Sequence, residues 1–165
     1  MSPRTKACLA AVLALALAAF ARAEVKSGDA FPSLAAAGLR GSVPDTAGKI
    51  VLVDFWASWC SPCKASFPAY AKLHADYAAR GLVIVAVSSD ESVPDYERFV
   101  RKLAPPFATV LDQGHKLVQQ VRIPTTPTSY LVGRDGRVRF VHPGYHDDTD
   151  RELRKEIDSL LAEKN

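Results

Sequence analysis

The feature that most constrains this chain is the run Trp59-Cys60-Ser61-Pro62-Cys63, which directly follows the apolar stretch Ile50-Val51-Leu52-Val53-Asp54-Phe55-Trp56. The stretch reads as a buried strand, and the cysteine pair falls where that strand gives way to a helix. A helix start presents unpaired N–H groups and a partial positive charge, so a thiolate at Cys60 is stabilised there and its pKa falls below the ordinary value of about 8.5. Cys60 is the expected nucleophile and Cys63 the resolving thiol, a pair able to open and close a small disulfide ring. Two other uses of such a pair remain at this point, half of a zinc site or a static disulfide. A structural zinc site usually needs four Cys or His ligands. The remaining candidates here are Cys8 and four scattered histidines, His74, His115, His142 and His146.

Residues 1–23 carry Arg4 and Lys6, an Ala/Leu-rich stretch over 7–20, and then Ala21-Arg22-Ala23. This is the three-part pattern of an export signal with a cleavage site before Glu24, and its apolar part is short of the roughly 20 residues that span a bilayer. The expected division is a signal peptide over 1–23 and one domain over 24–165. Cleavage would remove Cys8 and leave a single pair of thiols. Three of the 21 basic residues belong to the signal, so the remaining 18 balance the 18 acidic ones. With no basic stripe interleaved with aromatics, nucleic acid is not an expected partner. Export implies an oxidising compartment, where a dithiol persists reduced only if electrons are supplied to it.

Beyond an irregular lead over 26–49, β-rich runs alternate with amphipathic stretches, the signature of an α/β architecture. The pattern predicts a helix over 61–79, kinked at Pro68, with Phe67, Tyr70, Leu73, His74 and Tyr77 on its buried side. A central strand follows over 82–87. A helix over 94–103 comes next, capped by Ser92, with Tyr96, Phe99, Val100 and Leu103 on its apolar side. A short strand is expected over 107–111 and a short helix over 114–121. Strands over 128–132 and 138–141, joined through Asp135-Gly136, make a hairpin. The chain closes on a helix over 148–162 that buries Leu153, Ile157, Leu160 and Leu161.

The run from Val51 through Trp59-Cys60-Ser61-Pro62-Cys63-Lys64, with Pro68 later in the same helix, and the run Thr126-Pro127-Thr128-Ser129-Tyr130-Leu131-Val132 together resemble the thioredoxin superfamily, and within it the exported TlpA-like thiol-disulfide oxidoreductases. The resemblance implies a thioredoxin-like fold, a central mixed sheet flanked by helices, with residues 89–111 as a helix-and-strand insertion. It implies that Pro127 is cis beside the cysteines, that the backbone at Thr126 and Pro127 pairs with substrate, and that Pro143-Gly144 lines the same groove. Pro124 competes for the cis position, but only Pro127 leads directly into the strand.

The sequence departs from the TlpA-like pattern in one respect: Asp54 stands where that branch commonly has Asn, and Ser66 where it commonly has Glu. The acid instead holds the position typical of cytosolic thioredoxin, which the resemblance implies lies beneath the cysteine pair. A carboxyl buried there has its pKa raised toward neutrality, where it can take the proton of Cys63. The alternative is a structural, ion-paired acid. Trp59, Ser61 and Pro62 are expected to meet substrate, with Trp56 shielding the site or packing in the core. Ser61-Pro62 adds no charge between the cysteines, which favours a reductant.

The expected function is reduction of protein disulfides in the periplasm or another exported location, in cytochrome c maturation or other cofactor assembly. Its partners would be a disulfide-bearing protein substrate and a membrane electron-donor protein. No cofactor, no metal and no stable membrane anchor are expected, and the chain is expected to be a monomer. Two rival readings are a Cu(I) chaperone using the dithiol with His142 or His146, and a general disulfide oxidant or isomerase.

Overall fold

The computed structural model describes residues 24–163, so the signal segment expected over 1–23 lies outside the described residues. Five strands form one mixed sheet: β1 (Ile50–Trp56), β2 (Leu82–Ser88), β3 (Ala108–Leu111), β4 (Thr128–Val132) and β5 (Val138–Pro143), in the order β3-β2-β1-β4-β5. β1, β2 and β3 run parallel, and β4 pairs antiparallel with both β1 and β5. The helices are α1 (Ser61–Tyr77), α2 (Val93–Leu103), α3 (Lys116–Val121) and α4 (Thr149–Ala162).

Every residue of β1 is buried, so the sheet centre is covered on both sides, as its unbroken apolar run requires. Alternation sorts the strand into two cores. Ile50, Leu52 and Trp56 join Phe67, Tyr70 and Leu73 of α1 and Leu153, Ile157 and Leu160 of α4, with Tyr96 and Phe99 of α2 packed at the edge. Val51, Val53 and Phe55 face the opposite layer, where Leu117 and Val121 of α3 and Phe31, Leu34 and Leu39 of the lead close over them. Asp54 therefore points to the α1 side by the same alternation that sends Leu52 and Trp56 there.

The lead is stitched to the sheet by backbone bonds. Ala30 bridges Arg137, and Arg40 exchanges hydrogen bonds with Leu111 at 2.9 and 2.8 Å. The region expected as an insertion supplies α2 and the edge strand β3. Ser92 caps α2, its Oγ accepting the Asp95 N–H at 3.3 Å. Leu103 does not join the apolar side expected for it: it is 39% exposed, because α2 ends there and the next residue, Ala104, turns left-handed. His74 is half-buried rather than buried, with Nδ1 enclosed and unpartnered. α1 continues across Pro68, an exposed position, and a short 3-10 turn carries it to Gly81, whose φ of 104° closes it.

Candidate active site at the start of helix α1

Cys60 is the N-cap of α1, in extended conformation, and its Sγ accepts the backbone N–H of Cys63 at 3.2 Å. The helix start thus aims a donor at the sulfur expected to carry negative charge. Cys60 and Cys63 form a disulfide, with Cα atoms 5.4 Å apart. The two differ in access: Cys60 is 4% exposed and Cys63 is fully enclosed. Ser61 and Pro62 are exposed beside them, and Trp59 is 70% exposed. Trp56 packs in the core, against Phe67 and Phe99 at centroid distances of 5.0 and 4.5 Å. Of the two tryptophans only Trp59 is at the surface of the site.

The Thr126–Pro127 peptide is cis, and the Thr126 carbonyl oxygen lies 3.9 Å from Cys60 Sγ. Pro127 is buried, while Pro124, the competing proline, is exposed. Pro143 stands opposite Thr128 in the β4–β5 register, and the Gly144 N–H donates to the Pro127 carbonyl at 2.8 Å. Gly144 has a φ of 83°, and the His146 ring closes over it so tightly that a Cβ would fall 2.9 Å from Nε2. The left-handed φ favours glycine there, and a Cβ would in addition oblige the His146 ring to shift. The structure therefore brings together four of the expected segments, the Cys-x-x-Cys, Thr126-Pro127, Pro143-Gly144 and Trp59.

Asp54 is wholly buried on the face of β1 that α1 covers. Its Oδ1 accepts the Tyr70 hydroxyl at 3.0 Å and its Oδ2 has no partner. Burial pushes the carboxyl up to about 8, against a smaller downward pull from Tyr70. A group poised there is matched to a thiol of ordinary pKa about 8.5. Among the described residues no cation is bonded to Asp54, so the ion pair of the alternative reading is not seen there.

Two contributors escaped sequence reasoning. Tyr70 recurs at helical spacing like any core aromatic, and nothing in that pattern distinguishes its hydroxyl. Asp90, at the end of β2, is 4% exposed. Its carboxylate accepts the Ser58 N–H at 3.0 and 3.1 Å, the Ser58 hydroxyl at 2.9 Å and the Ser88 hydroxyl at 2.8 Å. It ties the turn that presents Trp59 and Cys60 to the neighbouring strand. A lone Asp in a polar run, Ser88-Ser89-Asp90, was the only signal available.

Beside the disulfide a groove of about 740 Å³ is lined by Ser58, Trp59, Asp90, Glu91, His115 and Thr126, among others. His142 is engaged elsewhere, its Nε2 lying 2.7 Å from Glu156 Oε2. Among the described residues no group of three His, Cys, Asp or Glu side chains is arranged to hold a metal ion. None of the described helices is long and apolar enough to cross a membrane.

Comparison with known proteins places this geometry in a family. The AhpC/TSA family profile matches residues 27–141. The chain is 33% identical over 107 residues to the thiol-disulfide oxidoreductase ResA of Bacillus subtilis (strain 168), covering 65% of this chain and 60% of that protein. Against ResA of Bacillus thuringiensis (strain Al Hakam) it is 32% identical over 101 residues, covering 61% of this chain and 58% of the relative. The chain thus spans about 60% of the length of these curated relatives. A crystal structure provisionally assigned as thiol:disulfide interchange protein DsbE from Chlorobium tepidum superposes with a TM-score of 0.78 at 30% identity, covering 84% of this chain and 100% of that one. StoA from Bacillus subtilis superposes with a TM-score of 0.60 at 27% identity, covering 70% of this chain and 85% of that one. The chain belongs to the AhpC/TSA family and, within it, to the thioredoxin-like proteins related to ResA and DsbE.

Proposed function

We propose that this protein is an exported thiol-disulfide oxidoreductase that reduces protein disulfides through Cys60 and Cys63. The observation that carries the reading is the Cys60 sulfur at the N-cap of α1, held by the Cys63 N–H and lying against the carbonyl of Thr126 before cis Pro127. The Cys60 thiolate attacks one sulfur of a substrate disulfide, forming a mixed disulfide and releasing the other substrate sulfur as a thiolate. Cys63 then gives its proton to Asp54 and attacks Cys60 Sγ. The second substrate thiolate leaves, two electrons have passed to the substrate, and the protein is left with the Cys60–Cys63 disulfide. A membrane protein that donates electrons would restore the dithiol. Trp59, Ser61, Pro62, Thr126, Pro127, Pro143 and Gly144 form the substrate-facing surface, the backbone at Thr126 and Pro127 pairing with the substrate segment.

The names of the relatives, thiol-disulfide oxidoreductase ResA and thiol:disulfide interchange protein DsbE, support this chemistry. The uncharged Ser61-Pro62 pair supports the reducing direction over the oxidant or isomerase reading. No group of three His, Cys, Asp or Glu side chains among the described residues is arranged to hold a metal ion, so no observation favours the copper role. The substrate class is a disulfide-bearing protein, with apocytochrome c or another cofactor-binding protein as the physiological case. The location is the periplasm, after cleavage following Ala23, where the protein acts as a monomer. The test is a trap: Cys63→Ser expressed in the native host should accumulate a covalent adduct through Cys60 that reductant releases, and mass spectrometry identifies the partner. The absence of such an adduct, with wild-type protein unable to reduce insulin disulfides, would exclude the proposed reaction.

A further inference from the structure

We propose that Tyr70 is the positioning residue of this site, its hydroxyl holding one oxygen of Asp54 and setting the pH at which the carboxyl can accept the Cys63 proton. The proposal rests on the reading of Asp54 as proton acceptor given above. Tyr70 is 1% exposed and Asp54 fully enclosed, and the 3.0 Å contact between them is the only hydrogen bond to this carboxyl among the described residues. The other hydroxyl on this face of α1 is committed elsewhere: Ser66 Oγ donates to the Cys63 carbonyl at 2.9 Å. Tyr70 stands one turn beyond Ser66, so the helix that carries Cys63 also carries the group that fixes its proton acceptor.

The chemistry of the donor matters as much as its place. A buried carboxyl with no donor would hold its proton so tightly that it could not act as a base near neutral pH. A lysine or arginine would pull it so low that it would not take a proton from a thiol. A phenol hydroxyl falls between these extremes, since it favours the charged form without adding charge. Burial and the charge of Asp54 push the Tyr70 phenol well above its ordinary value, so it stays a donor across the working range. Among the described residues, burial and the Tyr70 hydrogen bond are the influences that act on the Asp54 carboxyl. α1 contributes Cys63 and the half-buried His74, and the segment after β5 contributes Tyr145, whose ring meets that of Tyr70 at 6.2 Å. α4 contributes Asp150, which is paired with Arg154, while β2 and β4 place uncharged Ala86 and Ser129 beside Asp54.

Two readouts test the proposal. Carbon-13 NMR of labelled aspartate follows the Asp54 carboxyl directly, and the pH profile of insulin disulfide reduction follows its use. In Tyr70→Phe the Asp54 midpoint should rise by about one unit, the worth of a hydrogen bond to a charged group, and the rate profile should move alkaline by the same amount. At a fixed pH below the midpoint the rate then falls roughly tenfold, while the rate at high pH is retained. Wild-type protein grown on 3-fluorotyrosine keeps the native shape and carries a stronger donor, so its midpoint should fall, which gives a result even if Tyr70→Phe does not fold. An Asp54 midpoint unmoved by either change overturns the proposal. So does a midpoint that moves while the rate profile of an active enzyme stays fixed. A midpoint that moves in a protein unable to reduce insulin would refute the proposed function and still support the coupling of Tyr70 to Asp54.

Discussion

Asp54 is the least favourable residue in β1 and the most informative. An apolar side chain at this position would extend the core formed by Leu52, Trp56 and Tyr70, whereas a carboxyl must be desolvated and is left with one hydrogen bond. Its pKa of about 8, against an ordinary 3.8, fixes the sign of a stability effect. Between those values the folded protein keeps a proton that the unfolded chain gives up, so stability falls as pH rises through the window and levels off above about 8. By linkage the full window is worth on the order of 5 kcal/mol. Asp54→Asn should therefore be as stable as wild type near pH 4 and increasingly more stable toward pH 9, as read by urea unfolding of the oxidised proteins at pH 4, 7 and 9. It should also slow disulfide reduction by about 10²–10⁴ if proton transfer limits the rate. Parallel stability profiles would mean that Asp54 ionises normally. The place of Asp54 was legible through the resemblance to thioredoxin, which puts an acid at that strand position beneath the cysteine pair. Tyr70 was not, because a tyrosine at helical spacing has the pattern of a core residue and its hydroxyl's partner lies on another element.

At the scale of elements, Cys60 and the turn before it are held by two supports that differ in how local they are. The first is the N-cap of α1, built from neighbours in sequence and readable from Trp59-Cys60-Ser61-Pro62-Cys63 alone. The second is the bracket from β2, in which Asp90 gathers the Ser58 N–H and hydroxyl across 32 positions of sequence and the Ser88 hydroxyl from two residues away. Asp90→Ala leaves those buried donors without an acceptor and should cost about 2–4 kcal/mol in urea unfolding. The same change should slow the first step, attack by Cys60, by loosening the turn that presents it. A loss below about 0.5 kcal/mol would show that the bracket is not holding the turn. Contacts of this kind escape sequence reading because no periodicity marks the partner. Thr126-Pro127 and Pro143-Gly144 were legible only through the family resemblance, and the Gly144 to Pro127 hydrogen bond joins the two loops.

For the molecule as a whole, the alternation of strands and helices made the order of elements legible, and the runs over 50–56, apolar but for Asp54, and 82–87 identified the centre of the sheet. Residues 24–49 were not legible, since their role depends on isolated backbone bridges to Arg137 and Leu111 that irregular sequence does not encode. Leu103 was assigned to the core because helical periodicity does not say where a helix runs past its supporting layer. The direction of electron flow is also a property of the whole fold. A reductase has a disulfide form favoured over its dithiol form, and a strong oxidant has the reverse. The oxidised protein should therefore melt several degrees above the reduced one, and a reduced form that melts higher would indicate an oxidant. The central claim, that Cys60 is the attacking thiolate and Cys63 its enclosed partner, is tested most directly by site-resolved alkylation of the reduced protein across pH, followed by mass spectrometry. Cys60 should be modified first near neutral pH, with a midpoint below about 8.5, while Cys63 stays protected. Faster modification of Cys63 would contradict the account.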